Sequence, residues 1–217
     1  MTRSESLSSK SNWIRAISVA GLVACGYFFP NHVVLFPTHP VALTVVDQWI
    51  PLSPVWIWFY ISYYAILMAA YFVNTGSSVQ RFYVDAILVA AATGFLIFIF
   101  FPTSISRDLY PWLGPSDYSS GMLAKIRGAD NSVNCLPSMH ICMGFIAAYA
   151  LALAYGRVGR VLVWLWFLAI CYSTMATKQH YFVDVVSGFA LGVTCVGIFL
   201  KRYGLLPDFS GAFKTNA

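Results

Sequence analysis

The chain has 217 residues, 59% of them hydrophobic and 10% charged, with a formal net charge of +5 and a mean hydropathy of +0.70. Soluble domains carry about 25% charged residues, so the composition excludes an ordinary soluble domain and points to one membrane-embedded helical bundle without a second domain. The excess of cations fits residues flanking membrane spans better than a polyanion-binding surface, and nucleic acid is not an expected partner.

A membrane span needs about 20 apolar residues. Residues 1–12 read as a polar tail, and 14–29 then run apolar, as in a secretory signal. That run ends in Tyr27, Phe28, Phe29 and Pro30 rather than at a small-residue cleavage site, which predicts an uncleaved first span. Six spans are expected, at 15–36, 54–74, 82–101, 138–156, 159–177 and 182–201, with 203–217 as a C-terminal tail. The expected fold is an all-α, six-helix membrane bundle forming one domain over 1–217. The longest connection, 102–137, is rich in Pro, Gly, Ser and Asp. Connections this long are usually functional, so a loop cap or short interfacial helix over 119–127 is expected between spans three and four.

Orientation follows from Lys and Arg. With six spans, one side carries Arg3, Lys10, Arg15, Arg81, Arg157, Arg160, Lys201, Arg202 and Lys214, and the other only Arg107, Lys125, Arg127 and Lys178. Positive-inside asymmetry places both termini in the cytoplasm. Asp47, Asp108, Asp117, Asp130 and Asp184 fall on the outer side, with Trp49, Trp56, Tyr110, Trp112 and Tyr118 as an aromatic belt there. The expected setting is a bacterial inner membrane, with membrane lipids around the bundle. Five cysteines lie scattered, mostly in apolar runs, with no metal-ligand spacing.

Two outer clusters carry chemistry. In Lys178-Gln179-His180-Tyr181-Phe182-Val183-Asp184, the His and Asp stand at i, i+4, on one face of a helix start. A carboxylate on one imidazole nitrogen fixes the tautomer and leaves the other nitrogen as nucleophile or base. Lys178 offers a point charge for a phosphate. The plainer reading is an ion pair at a helix start, which is costly to desolvate for no gain. In Cys135-Leu136-Pro137-Ser138-Met139-His140, Pro and Ser suit a helix start. His140 then projects beside free backbone N–H groups that attract anions. Two His, one Asp, a Lys and a helix N-terminus suit metal-free phosphoryl transfer: one His attacks phosphorus and the other protonates the leaving alkoxide. A zinc or iron site on the same donors is the competing reading, which Lys178 disfavours by repelling a cation. A transporter or lipid scaffold would need no His–Asp pair, and transporter sites lie nearer the midplane. No cofactor is expected, and the expected partner is a lipid phosphate substrate.

Pro137-Ser138-Met139-His140 and Ser173…His180-x-x-x-Asp184 resemble the second and third signature motifs of the type 2 phosphatidic acid phosphatase superfamily, which includes membrane lipid phosphatases and vanadium haloperoxidases. Ser173-Thr174-Met175 and His180 to Asp184 are most similar to the inositol phosphorylceramide synthase branch. The resemblance implies that His180 forms a phosphohistidine, that Asp184 supports it and that His140 protonates the leaving group. It further implies phosphate contacts from Ser138 and Met139, with Arg107, Arg127 and Lys178 supplying charge. The chain departs from the family pattern at Met139, where Gly is typical, and at Thr174, where Arg is typical. The first motif, Lys-x6-Arg-Pro, is absent, and Arg107 is its nearest counterpart. The implied activity is hydrolysis of a lipid phosphate monoester or diphosphate, with transfer of the phosphoryl head group to an alcohol as the alternative.

Overall fold

The computed structural model describes residues 3–107, 110 and 114–205, with side chains from residue 12 onward. Asp108, Trp112, Lys214 and the tail beyond 205 lie outside the described residues, as do the side chains of Arg3 and Lys10. The long helices are α1 (Arg3–His32), α3 (Ile57–Val73), α4 (Ser78–Phe100), α6 (Met139–Ala154), α7 (Arg157–Ala176) and α8 (Phe182–Tyr203). Two shorter ones are α2 (Val45–Trp49) and α5 (Tyr118–Ala129). A two-residue parallel pair, β1 (His39–Pro40) with β2 (Thr103–Ser104), ties the loop after α1 to the loop after α4.

Local chemistry sets the ends. Ser77 caps α4, its Oγ accepting from the Gln80 N–H, and Asp117 caps α5 by accepting from the Ser120 N–H at 2.8 Å. Gly204, at φ +63, closes α8 in the left-handed region, where a glycine carries no Cβ penalty.

Among the described residues, five helical segments are long and apolar enough to cross a membrane: Asn12–His32, Pro54–Val73, Ser78–Phe100, Arg157–Ala176 and Phe182–Tyr203. The chain is an integral membrane protein by this measure. The fourth expected span, 138–156, differs. Helix α6 has 16 residues, about 24 Å at the usual rise, against a hydrocarbon core of about 30 Å. It can be short because it is central. Twelve of its residues are buried, and it packs against α3, α4, α7 and α8. The outer helices turn apolar side chains outward instead, among them Leu162, Leu165 and Leu168 on α7. Helix α1 also differs from expectation, starting at Arg3 and ending at His32 rather than spanning 15–36.

Two glycines let α8 meet α6. A Cβ at Gly188 would stand 2.3 Å from the Ser138 carbonyl oxygen, and one at Gly192 would stand 2.9 Å from that of Cys142. The Gly-x-x-x-Gly spacing puts both on one face and allows close backbone approach, as in membrane helix pairs generally. This contact holds the start of α6 against the start of α8.

Candidate active site

The turn between α7 and α8 is built from backbone bonds. The Thr174 carbonyl accepts from the N–H groups of both Gln179 and His180, at 3.0 and 3.1 Å. Lys178 takes a left-handed φ of 54. Helix α8 begins with a reciprocal cap in which Asp184 Oδ2 accepts from the Tyr181 N–H at 2.8 Å. The same oxygen lies 3.5 Å from His180 Nδ1. That is long for a hydrogen bond, a looseness common in catalytic pairs without substrate.

His140 sits in the first turn of α6. Its ring centroid is 5.6 Å from that of His180, edge to face. The rings of Tyr60 and Tyr63, one turn apart on α3, flank it at 4.5 and 4.6 Å. Both imidazoles are buried, and Asp184 is fully so. His140, His180 and Asp184 thus stand together at the junction of α3, α6 and α8.

The cations divide. Arg107 donates from Nη1 to the Asp130 carbonyl at 2.7 Å and from Nη2 to Gln179 Oε1 at 2.6 Å. Its Nη2 is also 3.7 Å from the Asp130 carboxylate. Asp130 is held in turn by the Tyr27 hydroxyl at 2.8 Å and by Asn31 Nδ2 at 3.1 Å. Arg107 is therefore fastened beside the residue preceding His180. Arg127, on α5, donates to the Thr177 carbonyl at 3.1 Å.

Lys178 goes elsewhere. Its ammonium donates to the Asp47 carbonyl at 2.8 Å and to the Ile50 carbonyl, and lies 4.0 Å over the Tyr110 ring. Burial pulls it below its ordinary value of 10.5, opposed by the nearby Asp47 carboxylate. The Asp47 carboxylate accepts from the Phe182 N–H at 2.7 Å and from Thr44. Lys178 and Asp47 thus pin the α2 loop across the His180 turn. Met139 also turns inward, its sulfur packed on Gly94 of α4, so only its backbone N–H remains for an anion.

Among the described residues, buried side-chain atoms without a protein partner include Arg107 Nε, both Asn134 amide atoms, Ser138 Oγ, His140 Nε2, Gln179 Nε2, His180 Nδ1 and Asp184 Oδ1. An unsatisfied buried polar atom costs about 1–3 kcal/mol. A bound polar ligand completes such a set, and its excess of donors suits an oxyanion. Cys135 lies close by, but burial pushes its thiol well up, reinforced by the Asp184 charge, so it is no thiolate nucleophile.

Gln179, Asn134, Asp130, Tyr60 and Tyr63 escape the motif reading. Two carried a signal: Tyr60 and Tyr63 stand at i, i+3 on one apolar helix, and Gln179 lies inside the third-motif stretch.

A profile of the PAP2 superfamily matches residues 29–198. The chain is also similar to sphingosine-1-phosphate phosphatase 1 of Mus musculus and of Rattus norvegicus. Each is 27% identical over 116 residues, covering 50% of this chain and 26% of the relative. The chain thus spans about a quarter of the length of the curated relatives it matches. No solved structure gives a significant match. A profile match over most of the chain, including both histidines and Asp184, makes it a member of the PAP2 superfamily.

Proposed function

We propose that the protein is a membrane-embedded lipid phosphatase that hydrolyses a lipid phosphate monoester or diphosphate through a phosphohistidine on His180. The observation that carries this reading is the pair of imidazoles 5.6 Å apart, with Asp184 behind one of them. A phosphorus atom between them is reached by one ring, and its leaving oxygen by the other.

In this reading Asp184 holds the proton on His180 Nδ1, and the Nε2 lone pair attacks phosphorus. The bond from phosphorus to the lipid oxygen breaks, and its electron pair stays on that oxygen. Protonated His140 donates there, so the lipid leaves as its alcohol. Neutral His140 then takes a proton from water, which attacks the phosphohistidine and releases phosphate. Arg107, Arg127, Gln179, Ser138 and the first N–H groups of α6 bind the equatorial oxygens. Lys178 acts as a positioning residue for the His180 turn, in keeping with its bonds to α2.

In this reading the chain crosses six times with both termini inside, α6 being the short central crossing, and the site opens at the outer face beneath α5. The deciding experiment is product analysis with detergent-solubilised protein and several lipid phosphates, with and without added alcohols. Free phosphate and dephosphorylated lipid are the expected products in every case. A new phosphodiester in place of free phosphate would instead show transfer to the alcohol.

A further inference from the structure

Behind His140, away from the polar cluster, an apolar groove runs between α1 and α3 over a floor of α4 and α6. It has two connected lobes. The first, of about 170 Å³, begins at His140, Tyr27 and Phe28. The second, of about 270 Å³, ends at Ala16, Tyr71 and Tyr83. Ala20, Val23, Tyr64, Leu67 and Met143 line both, so the lobes are one passage, with Ala20 where they join.

Four of the five tyrosines that line it turn their hydroxyls to protein partners. The hydroxyl of Tyr27 donates to Asp130, that of Tyr71 to the Asn12 carbonyl and that of Tyr83 to the Leu67 carbonyl. The Tyr63 hydroxyl points at Met143 sulfur. What faces the groove is ring and hydrocarbon, with the His140 imidazole at the outer end. A water-filled passage would leave those hydroxyls free to line it, whereas an apolar occupant requires them paired elsewhere.

We infer that this groove holds the single hydrocarbon chain of the substrate whose phosphate lies between His140 and His180, and that it measures chain length. The inference rests on the phosphatase reading above. One occupant is argued by continuity: His140 is a wall of both the polar site and the groove, so an ester oxygen within its reach starts a chain at the groove mouth. Length follows from the helices. Phe28 and Ala16 on α1, and Phe95 and Tyr83 on α4, each stand 12 positions apart, about 18 Å of rise. An extended chain advancing about 1.25 Å per carbon fills this with about 14 carbons. Passage past Ala20, eight residues below Phe28, needs about 9 or 10 carbons by the same arithmetic.

The test compares kcat/KM for hexyl and tetradecyl phosphate at fixed mole fraction in mixed micelles. Wild-type protein should prefer the longer chain, since each buried methylene contributes up to about fourfold. Ala20→Trp should lower the tetradecyl-to-hexyl ratio at least about tenfold, the effect of losing two or more such methylenes. Leu22→Trp, on the outward face of α1, should leave the ratio unchanged. An unchanged ratio in Ala20→Trp, with the protein folded, would overturn the inference. A second arm needs no turnover. Tetradecyl phosphate carrying a terminal diazirine should label residues near Ala16, Tyr71 and Tyr83 in both wild-type and His180→Ala protein. Unlabelled tetradecyl phosphate should compete, and tetradecanol should compete poorly. Labelling of the outward face of α7, or equal competition by tetradecanol, would overturn the assignment. If no alkyl phosphate of any length is hydrolysed while the inner lobe is still labelled, the phosphatase reading fails and the groove stands.

Discussion

The Ser138 N–H donates to the Asp184 carbonyl at 3.0 Å. This one bond joins the residue that starts α6 to the first turn of α8. His140 lies two residues from one end of it, and His180 four residues from the other. Gly188 keeps the two backbones close enough for it to form. The imidazoles therefore sit on a shared rigid frame rather than on two independent loops, which favours a fixed separation during reaction.

The orienting carboxylate should matter less than the nucleophile but still heavily. Asp184→Asn removes the negative charge that holds the proton on His180 Nδ1 and replaces one carboxylate oxygen with an NH2 group, and the rate should fall on the order of 10²–10⁴-fold. His180→Ala should abolish turnover while the protein stays folded. Steady-state rates on purified, monodisperse protein check both, and near-normal turnover by His180→Ala would falsify the nucleophile assignment.

The role of His140 can be read from leaving groups. A general acid matters most when the departing alcohol is a poor one. His140→Ala should nearly eliminate cleavage of alkyl phosphates and spare much more of the first step with a nitrophenyl phosphate. An equal loss on both would make His140 a phosphate-binding residue instead.

The chemical core was legible because its signals are local. His180 and Asp184 at i, i+4, and Ser138 and His140 at a helix start, are patterns of a single turn. Their costliness beside a membrane marks them further. Long-range partners leave no such pattern. Nothing near Lys178 says that its ammonium ends on carbonyls 128 and 131 residues earlier. Asp130 anchors Arg107 only because Tyr27 and Asn31 arrive from α1. Asp85 on α4 accepts from the Tyr203 hydroxyl, which arrives 118 residues later on α8. The length of α6 was hidden for a related reason. Hydropathy does not show that four other helices wrap it, so that its ends can lie within protein rather than in lipid and a shorter helix suffices.

Lys178 and Arg107 should fail in different ways. Lys178→Met leaves the Asp47 and Ile50 carbonyls without their donor, so its thermal midpoint should drop, while phosphate inhibition of the remaining folded protein changes little. Arg107→Gln should also lower the midpoint, since the Asp130 carbonyl and Gln179 Oε1 lose their donor, but unlike Lys178→Met it should weaken phosphate inhibition about tenfold or more, the worth of a hydrogen bond to a charged group. The pH dependence has a definite sign. Burial lowers Lys178 below the 10.5 of the unfolded chain. Between the lowered value and 10.5 the unfolded chain holds more protons, so this group's contribution to stability rises with pH. The neutral amine still donates to both carbonyls. Wild-type protein should therefore gain stability relative to Lys178→Met as pH approaches 10.5, and a relative loss would refute the account of Lys178.

Orientation is open to labelling. Ser116 and Thr75 are both exposed, one before α5 and the other after α3. With native cysteines replaced, Ser116→Cys should react with an impermeant thiol reagent in intact cells and Thr75→Cys should react only after lysis. The same pattern at both positions would rule out a site at the outer face.

The central claim is a phosphoryl group carried on His180. Protein quenched in alkali during turnover of a nitrophenyl phosphate, then digested and sequenced by mass spectrometry, should carry one phosphoryl group on His180. His140→Ala should accumulate it, because hydrolysis of the intermediate also needs that imidazole. His180→Ala should carry none. Active wild-type protein with no phosphoryl group on His180, or with the group on another residue, would contradict the account.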